Sequence, residues 1–115
     1  MKILTRARGL QLTDELSSHS TDQIRTALGR FADRLRRVEI TLLDVNGPRG
    51  GIDKECKIMV VLEGVGTLVI RERSDSAFAA ISNAADRCRQ AVSRTLDRVQ
   101  YARRGRGARP VRTAG

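Results

Sequence analysis

The stretch from Asp75 to about Tyr101 constrains the fold more than any other, because its apolar residues recur at the helical period for about seven turns. At about 100° per residue, Phe78, Ile81, Ala85, Cys88, Val92, Leu96 and Val99 fall on one side, with Arg87, Arg94 and Arg98 lined up opposite them. The stripe predicts a long helix that must be buried against another layer. The ridge predicts a surface for negative charge. The helix contains no Glu, and only Asp86 and Asp97 lie beside the ridge, so few pairs at i,i+4 spacing can neutralise it.

The layer that covers this stripe is legible upstream. Lys2 to Ala7 places Ile3 and Thr5 on one side and meets Arg8-Gly9, the pattern of an opening strand ended by a glycine. Thr13 precedes Asp14 and Glu15 and can cap a helix, with both acids well placed in its first turn. Leu16, Ile24, Ala27, Leu28, Phe31 and Leu35 then share one sector, which carries the helix to about Ala32 or Arg34. A competing start at Ser20, with Gln23 completing a capping box, would shorten it. Val38, Ile40 and Leu42 alternate along a second strand, and Cys56, Ile58, Val60 and Leu62 along a third. Gly64-Val65-Gly66 turns into a fourth from Thr67 to Arg73, with Leu68 and Ile70 inward. The order predicts an α+β fold, a two-layer β-α-β-β-β-α sandwich with both helices on one face of a mainly antiparallel four-stranded sheet. The other face, with Thr41, Leu43, Met59, Val61, Val69 and Arg71, is more apolar than a wet surface needs. It is either a contact surface or an ordinary scatter of exposed apolar residues.

Charge narrows the class of partner. The chain has 115 residues, 22 Lys+Arg and 13 Asp+Glu, a formal net charge of +9, and only three of its cations are lysine. Such a length holds one domain and one modest core. Arginine is the side chain shaped for bidentate phosphate contact, so a nucleic acid is the expected partner. Arg25 and Arg30 on the first helix, followed by Arg34, Arg36 and Arg37, extend the charge; if both helices cover the same sheet face, their outer surfaces form one basic platform. The expected division is a domain over 1–101 and a disordered Arg/Gly-rich tail over 102–115. No apolar run approaches the roughly 20 residues that span a bilayer, and no secretory leader is evident, so the cytoplasm is the expected location.

The remaining motifs exclude more than they assert. Cys56 and Cys88 are far apart and on inward sides, which predicts core thiols rather than a metal or redox pair. Phe31 and Phe78 fall on core stripes and leave only Tyr101 free, so an aromatic platform for splayed bases is not expected. Recognition of structured RNA by shape and backbone fits better. No helix-turn-helix or zinc-finger spacing is present. The loop Asn46-Gly47-Pro48-Arg49-Gly50-Gly51 lacks the Gly-Lys-Ser/Thr ending of a phosphate cradle and leads into a strand; it reads as an extended hairpin connection whose Arg49, with Lys54 and Lys57, could touch RNA. His19 is the single histidine, at the edge of an apolar helix face, where packing is expected rather than general-base chemistry. No paired carboxylates, Cys/His or Ser/His arrangement is evident, so the chain reads as a non-enzyme without cofactor, metal or small-molecule substrate.

An ordered series of segments resembles the short form of the bacterial ribosome hibernation-promoting factor and ribosome-associated inhibitor family. It comprises Lys2-Ile3, Arg8-Gly9-Leu10, Leu12-Thr13, Phe31-Ala32-Asp33-Arg34-Leu35, Val38-Glu39-Ile40, and Asp75-Ser76-Ala77-Phe78-Ala79-Ala80-Ile81 followed by Ala84-Ala85-Asp86-Arg87. The resemblance runs from about Met1 to Arg98. It implies the β-α-β-β-β-α fold and binding to the small ribosomal subunit, in the channel for mRNA and the A- and P-site tRNAs. Occupancy there would block initiation and preserve idle ribosomes under stress or in stationary phase. Matched positions carry RNA contact to Arg87 and Arg94, and then to Arg8 and Arg25; Arg98, Arg30, Arg34 and Arg37 are added by the charge pattern. His19 stands where the family often has a Tyr, the Asn46 to Asp53 connection is glycine-rich, and the arginine tail leaves no room for the C-terminal domain of long-form members. A monomer that does not itself pair ribosomes is expected. The rival reading is a general structured-RNA binder, similar in shape logic to a double-stranded RNA-binding domain with an extra first strand.

Overall fold

Alternation of apolar and polar residues builds four strands, β1 (Lys2–Arg8), β2 (Leu35–Asp44), β3 (Lys54–Leu62) and β4 (Gly66–Ser74), in the computed structural model. It describes residues 1–45 and 53–104, without the side chains of 103 and 104. The sheet order is β1-β2-β3-β4; β1 runs parallel to β2 and the other two pairings are antiparallel. A parallel neighbour requires a crossover, and the helix α1 (Asp14–Leu28) supplies it. The chain closes with α2 (Ala77–Arg104), which packs on β3, β4 and α1. The arrangement is the predicted β-α-β-β-β-α sandwich.

One sheet face carries the core. Val38, Ile40 and Leu42 of β2 and Cys56, Ile58, Val60 and Leu62 of β3 are buried beneath Leu16, Ile24 and Leu28 of α1 and Ile81, Cys88 and Val92 of α2. Fully burying each such aliphatic side chain contributes about 1.5–3 kcal/mol, so this single interface dominates stability. Leu68 and Ile70 of β4 lie against it, partly buried, as the alternation requires.

Local sequence chemistry sets the helix ends. The Thr13 hydroxyl accepts from the Leu16 N–H at 3.1 Å, so α1 starts after Thr13 rather than at Ser20. Ser20 is buried within the helix and donates its hydroxyl to the Leu16 carbonyl at 2.9 Å, which satisfies the polar group in place. The α-helix ends at Leu28, earlier than predicted, and Gly29–Arg34 continue as a 3₁₀ helix. Tighter winding there leads the chain into β2 while Phe31 still packs against the core. The Ser76 hydroxyl accepts from the Ala79 N–H at 3.3 Å and caps α2, which then runs past Tyr101. Gly64, at φ 71°, makes the left-handed step of the β3–β4 turn. Gly9, at φ 78°, passes Asp44 so closely that a Cβ would sit 3.3 Å from the Asp44 Cβ.

Phe78 departs from the predicted core. It is 44% exposed at the first turn of α2, before the stripe reaches the sheet, and its ring meets His19 edge-on with centroids 5.1 Å apart. The His19 Nε2 lies 3.2 Å from the Ser82 hydroxyl and 3.3 Å from the Phe78 carbonyl oxygen. His19 therefore ties α1 to α2, the packing role its position suggested.

Both cysteines are free and buried, and burial pushes each thiol up to about 12 from an ordinary 9.0. Between these limits the native state holds protons that the unfolded chain releases, so stability should be full below pH 9.0 and decline as pH rises toward about 12. Alkylation by iodoacetamide at pH 8, followed by mass spectrometry, should modify neither thiol in native protein and both in denaturant; rapid native labelling would contradict their burial.

Candidate nucleic-acid interface

The α2 arginines occupy a flank rather than the outward crest of the helix. Arg87, Arg94 and Arg98 share one sector at about 100° per residue, and the Arg87 guanidinium reaches Glu72 of β4 at 2.6 Å. That contact turns the ridge toward the β4 edge of the sheet. The opposite flank of α2 faces α1, where Gln23, Thr26, Ser82, Asp86 and Arg89 line the seam between the helices. Arg25 points away from this seam by the same periodicity, placing it on the far flank of α1. The single basic platform expected from charge mapping is thus two flanks separated by a seam, because the helices bury the sides on which they meet.

Ion pairing sorts the cations further. Asp86 accepts from Arg89 at 2.9 Å, and Glu72 engages Arg87, so these two arginines are partly compensated. Arg25, Arg94 and Arg98 are exposed and make no ion pair among the described residues. Arg30 holds its guanidinium 4.7 Å from the centroid of the Phe31 ring, a cation–π contact on the 3₁₀ helix. Arg34, half-buried on the same helix, accepts the Glu63 N–H at its carbonyl at 2.9 Å.

Arg8 and Arg37 do not join the helical surface. Both alternate with inward residues and project from the open face of the sheet, where Arg8 lines one depression and Arg37 another. Arg37 and Arg6 share Glu39 at 2.9 and 3.8 Å. Lys54 is drawn to Asp53 at 3.0 Å and Asp44 at 3.6 Å, and these carboxylates raise its pKa, the Asp53 hydrogen bond most of all. Lys54 thus fastens the base of the β2–β3 connection instead of facing a ligand. Arg49, the Asn46-Gly51 loop and the tail from 105 onward lie outside the described residues.

Sequence reading left out the partners Glu72, Glu39 and Glu55 and the exposure of Phe78. Glu72 alternates with the outward Arg71 and Arg73 of β4, and only the placement of α2 brings Arg87 to it. Phe78 and Tyr101 are both exposed, but 23 residues of helix, about 35 Å, separate them, so they form no common stacking platform. Glu72→Gln should free Arg87, change thermal stability by no more than about 1 kcal/mol, and tighten binding to structured RNA in fluorescence anisotropy. Weaker binding would instead make Glu72 an orienting partner of Arg87.

Comparison with known proteins bears on the fold and the family. Two solved structures share the fold: the N-terminal domain of Thermus thermophilus Protein Y and a ribosomal subunit interface protein from Coxiella burnetii. The first has a TM-score of 0.68 at 25% identity and covers 82% of this chain and 98% of its own. The second has a TM-score of 0.69 at 15% identity and covers 84% and 99%. No match to a curated protein reaches significance. The profile of the family described as sigma 54 modulation protein / S30EA ribosomal protein matches residues 3–100. A cationic two-layer fold matched from the first strand to the last turns of α2 places this chain in the sigma 54 modulation protein / S30EA ribosomal protein family, a ribosome-associated family.

Proposed function

We propose that this protein is a translation inhibitor of the hibernation type that binds the small ribosomal subunit in the channel used by mRNA and tRNA. Ribosomal RNA is its partner and the helix flanks supply the contacts. Membership of the S30EA family across residues 3–100 carries this reading. A net charge of +9 supports a polyanionic partner, as do the exposed Arg25, Arg94 and Arg98, which lack ion pairs among the described residues. The Thermus thermophilus relative is a Protein Y domain, and the Coxiella burnetii neighbour is titled a ribosomal subunit interface protein.

In this mechanism the protein performs no chemistry. Arginine–phosphate contacts position the domain, and its volume excludes mRNA and tRNA from the same channel. The exposed arginines displace condensed counterions, so affinity falls with salt by a slope of about −0.9 per phosphate neutralised on duplex-like RNA. Arg30 and Arg34, on the 3₁₀ helix beside α1, extend the contact. The protein acts as a cytoplasmic monomer.

Arg94→Ala combined with Arg98→Ala should weaken binding to purified small subunits and reduce the salt slope by about one per arginine, with the melting temperature unchanged because both side chains are exposed. Co-sedimentation across a salt series measures this, and a footprint of the bound protein on small-subunit RNA locates the site. Binding to plain duplex RNA as tightly as to small subunits at one salt concentration would favour the general RNA-binding reading.

A further inference from the structure

The sheet face turned away from the helices carries a cross-strand row that the helix contacts do not use. Strand register aligns Arg6 with Thr41, Thr41 with Lys57, and Lys57 with Arg71, one residue from each strand. These residues line a depression of about 270 Å³ whose charged rim holds four cations, Arg6, Arg8, Lys57 and Arg71, against the two carboxylates Glu39 and Glu55. Each carboxylate divides itself between a cation of the row and one beside it, Glu39 lying 3.8 Å from Arg6 as well as against Arg37. Glu55 accepts from Arg73 at 3.0 Å and lies 4.0 Å from Arg71, while Glu39 is held by Arg37 at 2.9 Å. Lys57 makes no ion pair among the described residues.

Lys57 and Arg71 are direct cross-strand partners, and like charges placed so are destabilising in a sheet. Glu55 offsets part of this at Arg71, and Lys57 is the cation of the row left for an anion. Its span of three strand spacings, about 14 Å, exceeds a single phosphate and suits successive phosphates of a chain. The Thr41 hydroxyl stands in the middle as a donor. At the β4 edge Glu72, the partner of Arg87, alternates with Arg71 and Arg73, so this row and the Arg87 ridge flank the same strand from opposite faces.

We propose that this open sheet face is a second RNA-backbone site, with Arg6, Thr41, Lys57 and Arg71 holding phosphates, so that the domain is gripped by RNA on both layers. The proposal rests on the reading of the partner as ribosomal RNA. It differs from the helix site in element, face and residues.

The test compares wild type, Lys57→Gln/Arg71→Gln, Lys57→Arg, and Arg94→Ala/Arg98→Ala in binding purified small subunits across a salt series, and follows backbone amide shifts during titration with an RNA hairpin. Lys57→Gln/Arg71→Gln should lower subunit affinity by roughly tenfold and reduce the salt slope. Lys57→Arg should retain binding. The melting temperature of Lys57→Gln/Arg71→Gln should be equal to or above wild type, since a like-charge pair is removed. Its loss should add to that of the helix double variant. The hairpin should shift the amides of Arg6, Thr41, Lys57 and Arg71. Wild-type affinity and slope in Lys57→Gln/Arg71→Gln, with no hairpin shifts on the sheet, would overturn the second site while leaving the ribosomal reading intact. Wild type that ignores subunits but shows the hairpin shifts would overturn the ribosomal reading and retain the site as a general RNA contact. Self-association that depends on Lys57 and Arg71, with no effect on RNA binding, would assign the face to a second copy and overturn the proposal.

Discussion

Burial of one face of the sheet under two helices is the interaction on which everything else depends. Val38, Ile40, Ile58 and Val60 present a continuous apolar surface, and Ile24, Leu28, Ile81 and Val92 close over it. With so few aromatic residues, the core is built from aliphatic side chains and two protonated thiols, with the buried Ser20 hydroxyl satisfied within its own helix. The arrangement also decides what remains outside. Helices that cover one layer leave the opposite sheet face and their own flanks for a partner.

Charge is distributed in the same asymmetric way. The described acids are not scattered as counterweights to every arginine; Glu39, Glu55 and Glu72 each serve cations at particular positions on or beside the sheet. Surface ion pairs of this sort contribute little to stability, typically up to about 1 kcal/mol each. Their larger consequence is to distinguish arginines already engaged, such as Arg87 and Arg37, from those left to a ligand, such as Arg94, Arg98 and Arg25. That distinction separates contacts made within the fold from side chains left exposed.

Much of the fold was legible in advance because it follows from periodicity. Alternation in β2 and β3 identified the buried face, Thr13 marked the start of α1, and Asp75 to Tyr101 announced the long helix. Periodicity failed where a local element leaves the layer it was projected onto. Phe78 matched the α2 stripe by angle, yet at the helix start it meets His19 instead of the sheet. The first helix gave way to a 3₁₀ segment after Leu28, a change of winding that the apolar spacing of Phe31 and Leu35 does not distinguish from continued α-helix. For the candidate site, the identity of the cations was readable and their grouping was not.

By itself, the sequence determined the class of fold, the identity of most core residues and the cationic character of the surface, since these depend on residue type and on short-range period. Only the tertiary structure decided which arginines share a surface. Strand register set Lys57 beside Arg71, and the docking of α2 brought Arg87 to Glu72 fifteen residues away. The meeting of α1 with α2 parted Arg25 from the ridge of Arg94 and Arg98. Such neighbours come from how layers are stacked and paired, a long-range outcome of burying one apolar face, and no local spacing encodes them.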